Sequence, residues 1–482
     1  MEKKEFIKGK ACNQDKSKKF FLYLAFLVAF FLVEIPLTDI AHGAQTTGGV
    51  NWLDPLEYTK PAFVPITVPD EASCPNKYYV NMSGGSGSTC SQASPCGSID
   101  NVMGKTGTKG GPAYIYVRGS GQWSGYNDTF YGSAGNEIVI KPWPGYTATF
   151  SANSNMNSSN IHHIIFDGGP DLGIAFTSSG SDQYNMHIIA DNITIYRCRA
   201  YATTGGGMLF AVGDSRVVSN VNFINNEFYQ CNQTAGYQCS SIYVGPGAGG
   251  GYSTMNIQNN IIRDMGGEAI EVNPRVTSSG MTIQGNAIHN SGKQTCSGAW
   301  GCRPGITMSV QSGGGNNSTV IKNNLIWDTG SSCIWDRGGG TPAPVIYNNT
   351  CYDYAVVGSD PWPYGISSYS NGGSAIVRNN IIYASNGTNP FDGSRFVKSN
   401  NICVGCDIGW NTGVFLSTNK NNIDFLKIGQ SSPAYNAGSS VDVTMDYAGA
   451  MRPYGSAYDV GAFEYGAGGD TAPRPPSNLR IP

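Results

Sequence analysis

The chain has 482 residues, of which 64 are glycine, with 13% charged residues and a formal charge of −3. That balance gives no basic surface to hold a nucleic acid. Abundant Gly, Asn, Ser and Thr argue against helical bundles and α/β folds, while the supply of Ile, Val, Phe and Tyr is too large for a disordered chain.

Lys16, Lys18 and Lys19 precede an uncharged apolar run of 14 residues over 20–33, and Ala41, Gly43 and Ala44 follow. This is the pattern of a signal peptide over 1–43. The run is short beside the ~20 residues of a membrane span; an uncleaved anchor is the alternative. Cleavage would remove seven Lys/Arg and five Asp/Glu and leave a charge of about −5. The expectation is a secreted protein, extracellular or at the cell surface, monomeric and without a membrane span once the leader is gone. Cysteine usage agrees with export, because 12 of the 13 Cys remain after Cys12 leaves with the leader. Cys231/Cys239, Cys296/Cys302 and Cys403/Cys406 are close in sequence, and Cys90/Cys96 is a fourth candidate with Cys74 as competitor. Loop staples are the favoured reading. With five His and none at zinc-ligand spacing beside Cys, a metal reading is weak.

Residues 44–73 are Pro-rich and patternless, an extended leader to the folded part. The fold begins with YYVN at 78–81, a Gly/Ser loop, SPCGSI at 94–99, the strand AYIYV at 113–117 and IVIKPWPG at 138–145. The centre of the chain then repeats itself. VNFINNEFYQ at 221–230 recurs as MNIQNNIIRD (255–264), MTIQGNAIHN (281–290), TVIKNNLIWD (319–328), PVIYNNTCYD (344–353) and AIVRNNIIYA (375–384). Marking the second Asn gives Asn226, Asn260, Asn286, Asn324, Asn349, Asn380 and Asn401, with Cys198 in the earliest copy and a mean gap of 29 residues. A strand-rich repeat of that length without helical periodicity marks a solenoid. Folding is assigned to 74–425, a closing module to 426–466 with SPAYNAG, MRP and DVGAFEY, and a Pro-rich linker to 467–482.

The opening segments, the repeats and the closing module together resemble secreted right-handed parallel β-helix proteins of the pectate-lyase-like superfamily over about 76–466. The resemblance implies an all-β single-stranded parallel β-helix with long loop insertions, a capping helix started near 94–99, and a groove that binds polysaccharide. Many such proteins are lyases or glycoside hydrolases. Polygalacturonase-like NTD, DD and RIK signatures, the vWiDH and RxPxxR segments of pectate lyases and an Asp-rich calcium cluster beside a Lys are not found in the sequence.

In such a fold Asn suits the sharp corner, since it tolerates the left-handed conformation and its amide can pair one coil away. The register then places Phe228, Ile262, Ile288, Ile326, Cys351 and Ile382 inward. Tyr229, Arg263, His289, Trp327, Tyr352 and Tyr383 face outward, a surface that could stack on sugars. Asp264, Asp328 and Asp353 follow; they offer oxygen ligands for calcium as a cofactor, but turn-capping is the favoured role.

A second strand per coil sets Met208, Ile242, Ile270, Ile306 and Ile334 inward. Leu209, Tyr243, Glu271, Thr307 and Trp335 form an outward column, followed by Ala211, Gly245, Asn273, Ser309 and Arg337. Long insertions leave beside it, carrying Trp300 and Arg303, and the last rung adds Asp360, Trp362 and Tyr364. Binding sites favour such loops on a rigid face. A lyase on a uronic-acid polymer needs a base, a cation for the substrate carboxylate and an acid for the leaving oxygen. The candidates are Glu271, Arg275, Arg337 and Tyr243 for catalysis, and Asn273, Trp300, Arg303, Trp335 and Trp362 for substrate. A hydrolase needs two carboxylates, with Asp336, Asp264 or Glu268 beside Glu271. The plain alternative makes Glu271 a surface salt-bridge partner of Arg275 or Arg337. As a whole protein, a non-catalytic surface or matrix glycan binder competes with the enzyme.

Overall fold

The computed structural model describes residues 60–466 apart from 127, 152, 180–183, 205–207, 232–238, 246, 293–302, 310–314, 338–342, 358–362, 369–373 and 393–394. The expected leader, the C-terminal linker, Trp300, Asp360, Trp362 and the Cys296/Cys302 pair lie outside the described residues. The described residues hold 33 strands and no helix. They form a right-handed parallel β-helix, as the repeats imply. One coil runs through Ile261–Met265, Ile270–Val272 and Thr277–Gln284. These pair in parallel with Ala287–His289, Ile306–Met308 and Val320–Lys322 of the next. Short strands rich in Ile and Val give each coil one apolar residue row per sheet, and the rows stack into one continuous core containing Phe228, Ile262, Ile288, Ile326, Cys351 and Ile382.

The corner between the third and first sheets explains the Asn pairs. Its first residue adopts a left-handed backbone at Asn225, Asn259, Asn323, Asn348, Asn379 and Asn400 (φ 53° to 58°), and Gly285 does the same in the one Gly-Asn copy. There the side chain turns outward. The second Asn turns inward and is buried. In Asn260 both the backbone N–H and Nδ2 donate to Oδ1 of Asn286, at 3.0 and 2.9 Å, while Nδ2 also donates to the Phe223 carbonyl at 2.9 Å. The same pattern links Asn226 to Asn260, Asn286 to Asn324, Asn324 to Asn349, Asn349 to Asn380, and Asn380 to Asn401. Burying amides is costly unless they are paired, and this ladder pairs them throughout. Gln230, Asp264, Asn290, Asp328 and Asp353 form a second left-handed corner (φ 47° to 57°), in keeping with the turn role.

The outward first Asn residues fasten the two ends of the described chain. Asn225 exchanges two hydrogen bonds with the Val64 backbone, at 3.2 and 2.6 Å, and Asn259 donates to the Ala62 carbonyl at 2.7 Å. Farther along, Asn323 donates to Met445, Asn348 to Asp459 and Gly461, Asn379 to Ser439 and Asn400 to Ala437. The two ends meet where the Ala62 N–H donates to the Tyr447 carbonyl at 3.1 Å.

Two expectations need correction. The segment at 94–99 opens no capping helix; 99–105 closes as successive turns, with Val102 donating to Ile99 and Lys105 to Val102, and buried Ile99 and Val102 cover the core end. Trp327 leaves the coil as expected but is 0% exposed. It stacks on His289 at 4.4 Å between ring centroids, and Phe425 meets its edge at 5.6 Å. Tyr352 and Tyr383 are met in turn by Phe415 and Trp410. The C-terminal segment therefore covers this aromatic face at Trp327, Tyr352 and Tyr383. Disulfides close Cys90–Cys96, Cys231–Cys239 and Cys403–Cys406, while Cys74, Cys198, Cys333 and Cys351 are buried thiols.

Candidate functional site

Ile242–Val244, Ile270–Val272, Ile306–Met308, Ile334–Asp336 and Ile366–Ser368 stack directly over one another. Alternation turns the middle residue of each triplet away from the core, so Tyr243, Glu271, Thr307, Trp335 and Ser367 form one column. Asp336 keeps the core register, where Ser368 Oγ donates to its Oδ2 at 2.9 Å. The register fails one coil earlier. Phe210, not Met208, lies beside Ile242, which brings Ala211 beside Tyr243. Leu209, expected outward, is buried in the core. Phe210 takes the central place because it packs among Phe176, Phe223 and Phe228, with ring centroids 5.1–5.5 Å away. Gly213 accordingly replaces Ala211 ahead of Gly245 in the next column, its N–H reaching the Ile188 carbonyl as Gly245 reaches Val212. A two-residue slip preserves in-out parity, so alternation could not reveal it. Traced correctly, the column also includes Asn155 and His187.

Two carboxylates meet at its centre. Glu271 and Glu268 are 4% and 1% exposed. Ser240 Oγ lies 3.1 Å from Glu271 Oε2 and 3.5 Å from Glu268 Oε2. Arg303 pairs with Glu268 at 2.9 Å. Burial raises the Glu271 pKa well above the ordinary carboxyl range, and the nearby Glu268 charge raises it further; Arg303, Ser240 and Arg337 oppose them. Glu271 is thus a buried acid beside a salt-bridged carboxylate, not an exposed ion-pair partner. Ser240, which joins the two, lies in the turn and carried no periodic signal.

Cations and rings surround this pair. The exposed Arg337 guanidinium lies 4.4 Å from the Trp335 ring centroid. Asn273 Nδ2 donates to the Tyr243 hydroxyl oxygen at 3.2 Å. Burial and the Glu271 charge push the Tyr243 pKa up to about 12, and Arg275 pulls weakly the other way. The Arg275 backbone N–H reaches the Gly250 carbonyl at 2.9 Å, holding its loop to the neighbouring coil. Glu271, Arg275, Trp335 and Arg337 therefore belong to one neighbourhood. Asn273 Oδ1 and Thr307 Oγ1 are buried without a hydrogen-bond partner among the described residues; such groups are uncommon.

Toward the N-terminal end of the column, His187 Nε2 lies 3.3 Å from Asp214 Oδ2. Burial lowers the His187 pKa, against the pull of Asp214. Sequence reading missed this residue, although the run Tyr184 to Ile188 aligns with Met208 to Val212 once the slip is allowed. The three Asp residues considered for calcium are separately engaged: Asp264 by Arg263 and Asn290, Asp328 by Lys420, and Asp353 by the Ser385 N–H. Among the described residues no three His, Cys, Asp or Glu side chains cluster as a metal site.

The fold is similar to that of the pectate lyase Pel9A, with a TM-score of 0.58 and 15% identity over 81% of this chain and 97% of that one. A rhamnogalacturonan lyase aligns over 74% of this chain and 97% of its own, at 12% identity and a TM-score of 0.49. At 15% identity the likeness to the first of these shows the parallel β-helix and nothing finer. No family model and no curated protein sequence matches the chain.

Proposed function

We propose that this chain is an exported protein that cleaves an extended, uronic-acid-containing polysaccharide on the outward column from Tyr243 to Arg337. The observation that carries the reading is the buried Glu268–Glu271 pair joined through Ser240. A carboxyl whose pKa is raised by burial and a like charge holds its proton to higher pH, which suits it to donate to a leaving glycosidic oxygen. Glu268, held by Arg303, is the second carboxylate that hydrolysis requires. Arg275 and Arg337 supply positive charge for uronate groups, and the orphaned Asn273 Oδ1 and Thr307 Oγ1 suit sugar hydroxyls. Elimination would need a base instead, and a tyrosine at about 12 beside guanidinium groups is a poor one. The groups present thus favour hydrolysis, although the pectate lyase of similar fold carries the name of a lyase.

A second reading, a glycan-binding surface protein without catalysis, draws on the same burial: both acids are covered and Glu268 is already neutralised by Arg303. Incubating the purified chain with acidic and neutral polysaccharides separates these readings. Reducing ends without the ultraviolet absorbance of unsaturated uronate indicate hydrolysis, and that absorbance indicates elimination. Binding with no new ends supports the second reading and overturns the first.

A further inference from the structure

A cleft of ≈ 600 Å³ opens on a different face, the sheet that precedes the Asn-Asn corner. Its floor is Ile165 and Thr194, adjacent partners on successive coils. One wall is a stack of left-handed residues, His163, Asn192 and Asn220, at φ 56°, 54° and 52°. The opposite wall is the N-terminal segment at Thr67, Val68 and Pro69, and Glu137 closes the end.

These walls are fixed in place. The Tyr114 hydroxyl donates to the Pro69 carbonyl at 2.5 Å, and Glu71 accepts from Tyr116 and pairs with Lys141, at 2.5 and 2.6 Å. Val64, on the other side of the cleft segment, is held by Asn225. Asn220 Nδ2 donates to Asn192 Oδ1 at 2.9 Å, and the Gly135 N–H donates to Glu137 Oε1 at 2.9 Å. Holding a histidine in the left-handed region costs energy, so the corner is set by the coil and keeps its polar side chains along the cleft.

The lining chemistry selects the ligand. The cleft combines an aliphatic surface from Ile165, Val68 and Pro69 with amides, hydroxyls, an imidazole and one carboxylate, and among the described residues its lining includes no Lys or Arg. Glu137 disfavours phosphate and uronate by like charge, which sets this cleft apart from the arginine-bearing column. A hydroxyl-rich neutral ligand satisfies both the polar rim and the aliphatic floor. The volume falls within the range of about 300–1,000 Å³ usual for small-molecule sites. We propose that this cleft binds a short neutral oligosaccharide, independently of the Glu271 column.

Calorimetric titration of the full chain with cellotriose, mannotriose, xylotriose, maltotriose and galactotriose tests it. At least one should bind, and Ala134→Trp, which fills the cleft from an exposed loop, should weaken that binding at least tenfold. Trp335→Ala should leave it unchanged. If Ala134→Trp does not fold, His163→Asn, which keeps a residue tolerant of the left-handed corner, and Glu137→Gln serve in its place, each expected to weaken binding at least fivefold. Absence of binding by all five sugars overturns the proposal. So does binding that survives these cleft variants or is lost in Trp335→Ala. Because no step requires catalysis, failure here leaves the reading of the Glu271 column intact, and failure there leaves this one intact.

Discussion

Arg303 holds Glu268 at 2.9 Å with both side chains largely removed from water. An arginine from an insertion thereby anchors the acid on which the central pair depends. Arg303→Leu should destabilise the protein by about 3–5 kcal/mol, because it abandons a buried charge. Urea unfolding of this variant measures the loss. A change below about 1 kcal/mol would instead describe a solvated, surface-like pair.

Glu271 makes stability depend on pH in a definite direction. Its folded-state pKa lies above its unfolded value, so the folded chain holds the proton more tightly. The associated stability is fully present below the ordinary glutamate range and is lost as pH rises through the folded-state value. Glu271→Gln should flatten that decline. Melting temperatures of both forms across the acid-to-neutral range check it, and parallel curves would contradict the direction assigned.

The charged rim can be separated from the acid pair by mutation. Arg337→Ala should weaken binding of an acidic polysaccharide by at least about tenfold, or about 1.4 kcal/mol, and the effect should shrink at high salt. Glu271→Gln should reduce cleavage by at least about tenfold while leaving binding near that of the parent. Affinity electrophoresis and reducing-end release report the two quantities.

Replacing Asn286 with Ala should cost on the order of 3 kcal/mol, since it removes the oxygen that accepts from the Asn260 N–H and Nδ2, and with it the two bonds that Asn286 Nδ2 donates. Trp327→Ala should cost a similar amount, about 3–5 kcal/mol, and should also expose the C-terminal segment to proteolysis. Denaturation and limited digestion distinguish them. Early cleavage should accompany the Trp327 change much more than the Asn286 change.

The repeat made the architecture legible because the Asn pair marks a fixed point on every coil. From that mark the inward rows around Ile262 and Ile326 followed by counting. Counting also placed Glu271 and Trp335 in one column. It failed at Leu209, where a cluster of large Phe rings sets the register and a two-residue slip leaves the alternation unchanged. It failed again at Trp327, whose cover comes from Phe425 in a segment outside the repeat. Local periodicity describes each coil and is silent about what later chain is laid across it. The Glu268–Arg303 pair was hidden for the same reason, since both residues sit in turns and insertions where spacing carries no direction. His187 could have been recovered by allowing the slip.

A stack of repeats ordinarily holds together only through adjacent layers, so that either end can peel without the other sensing it. The outward Asn residues change that arrangement. Those from Asn225 to Asn400 lie along one edge and grip the N-terminal segment first and the C-terminal segment afterwards. Gly285, with no amide to offer, falls at the interval where the grip passes from one segment to the other. With Ala62 joined to Tyr447, the filament is tied back on itself like a hoop, and loosening one terminus removes a support of the other. Loss of order in this solenoid should therefore begin at both termini together, instead of running inward from whichever end is weaker.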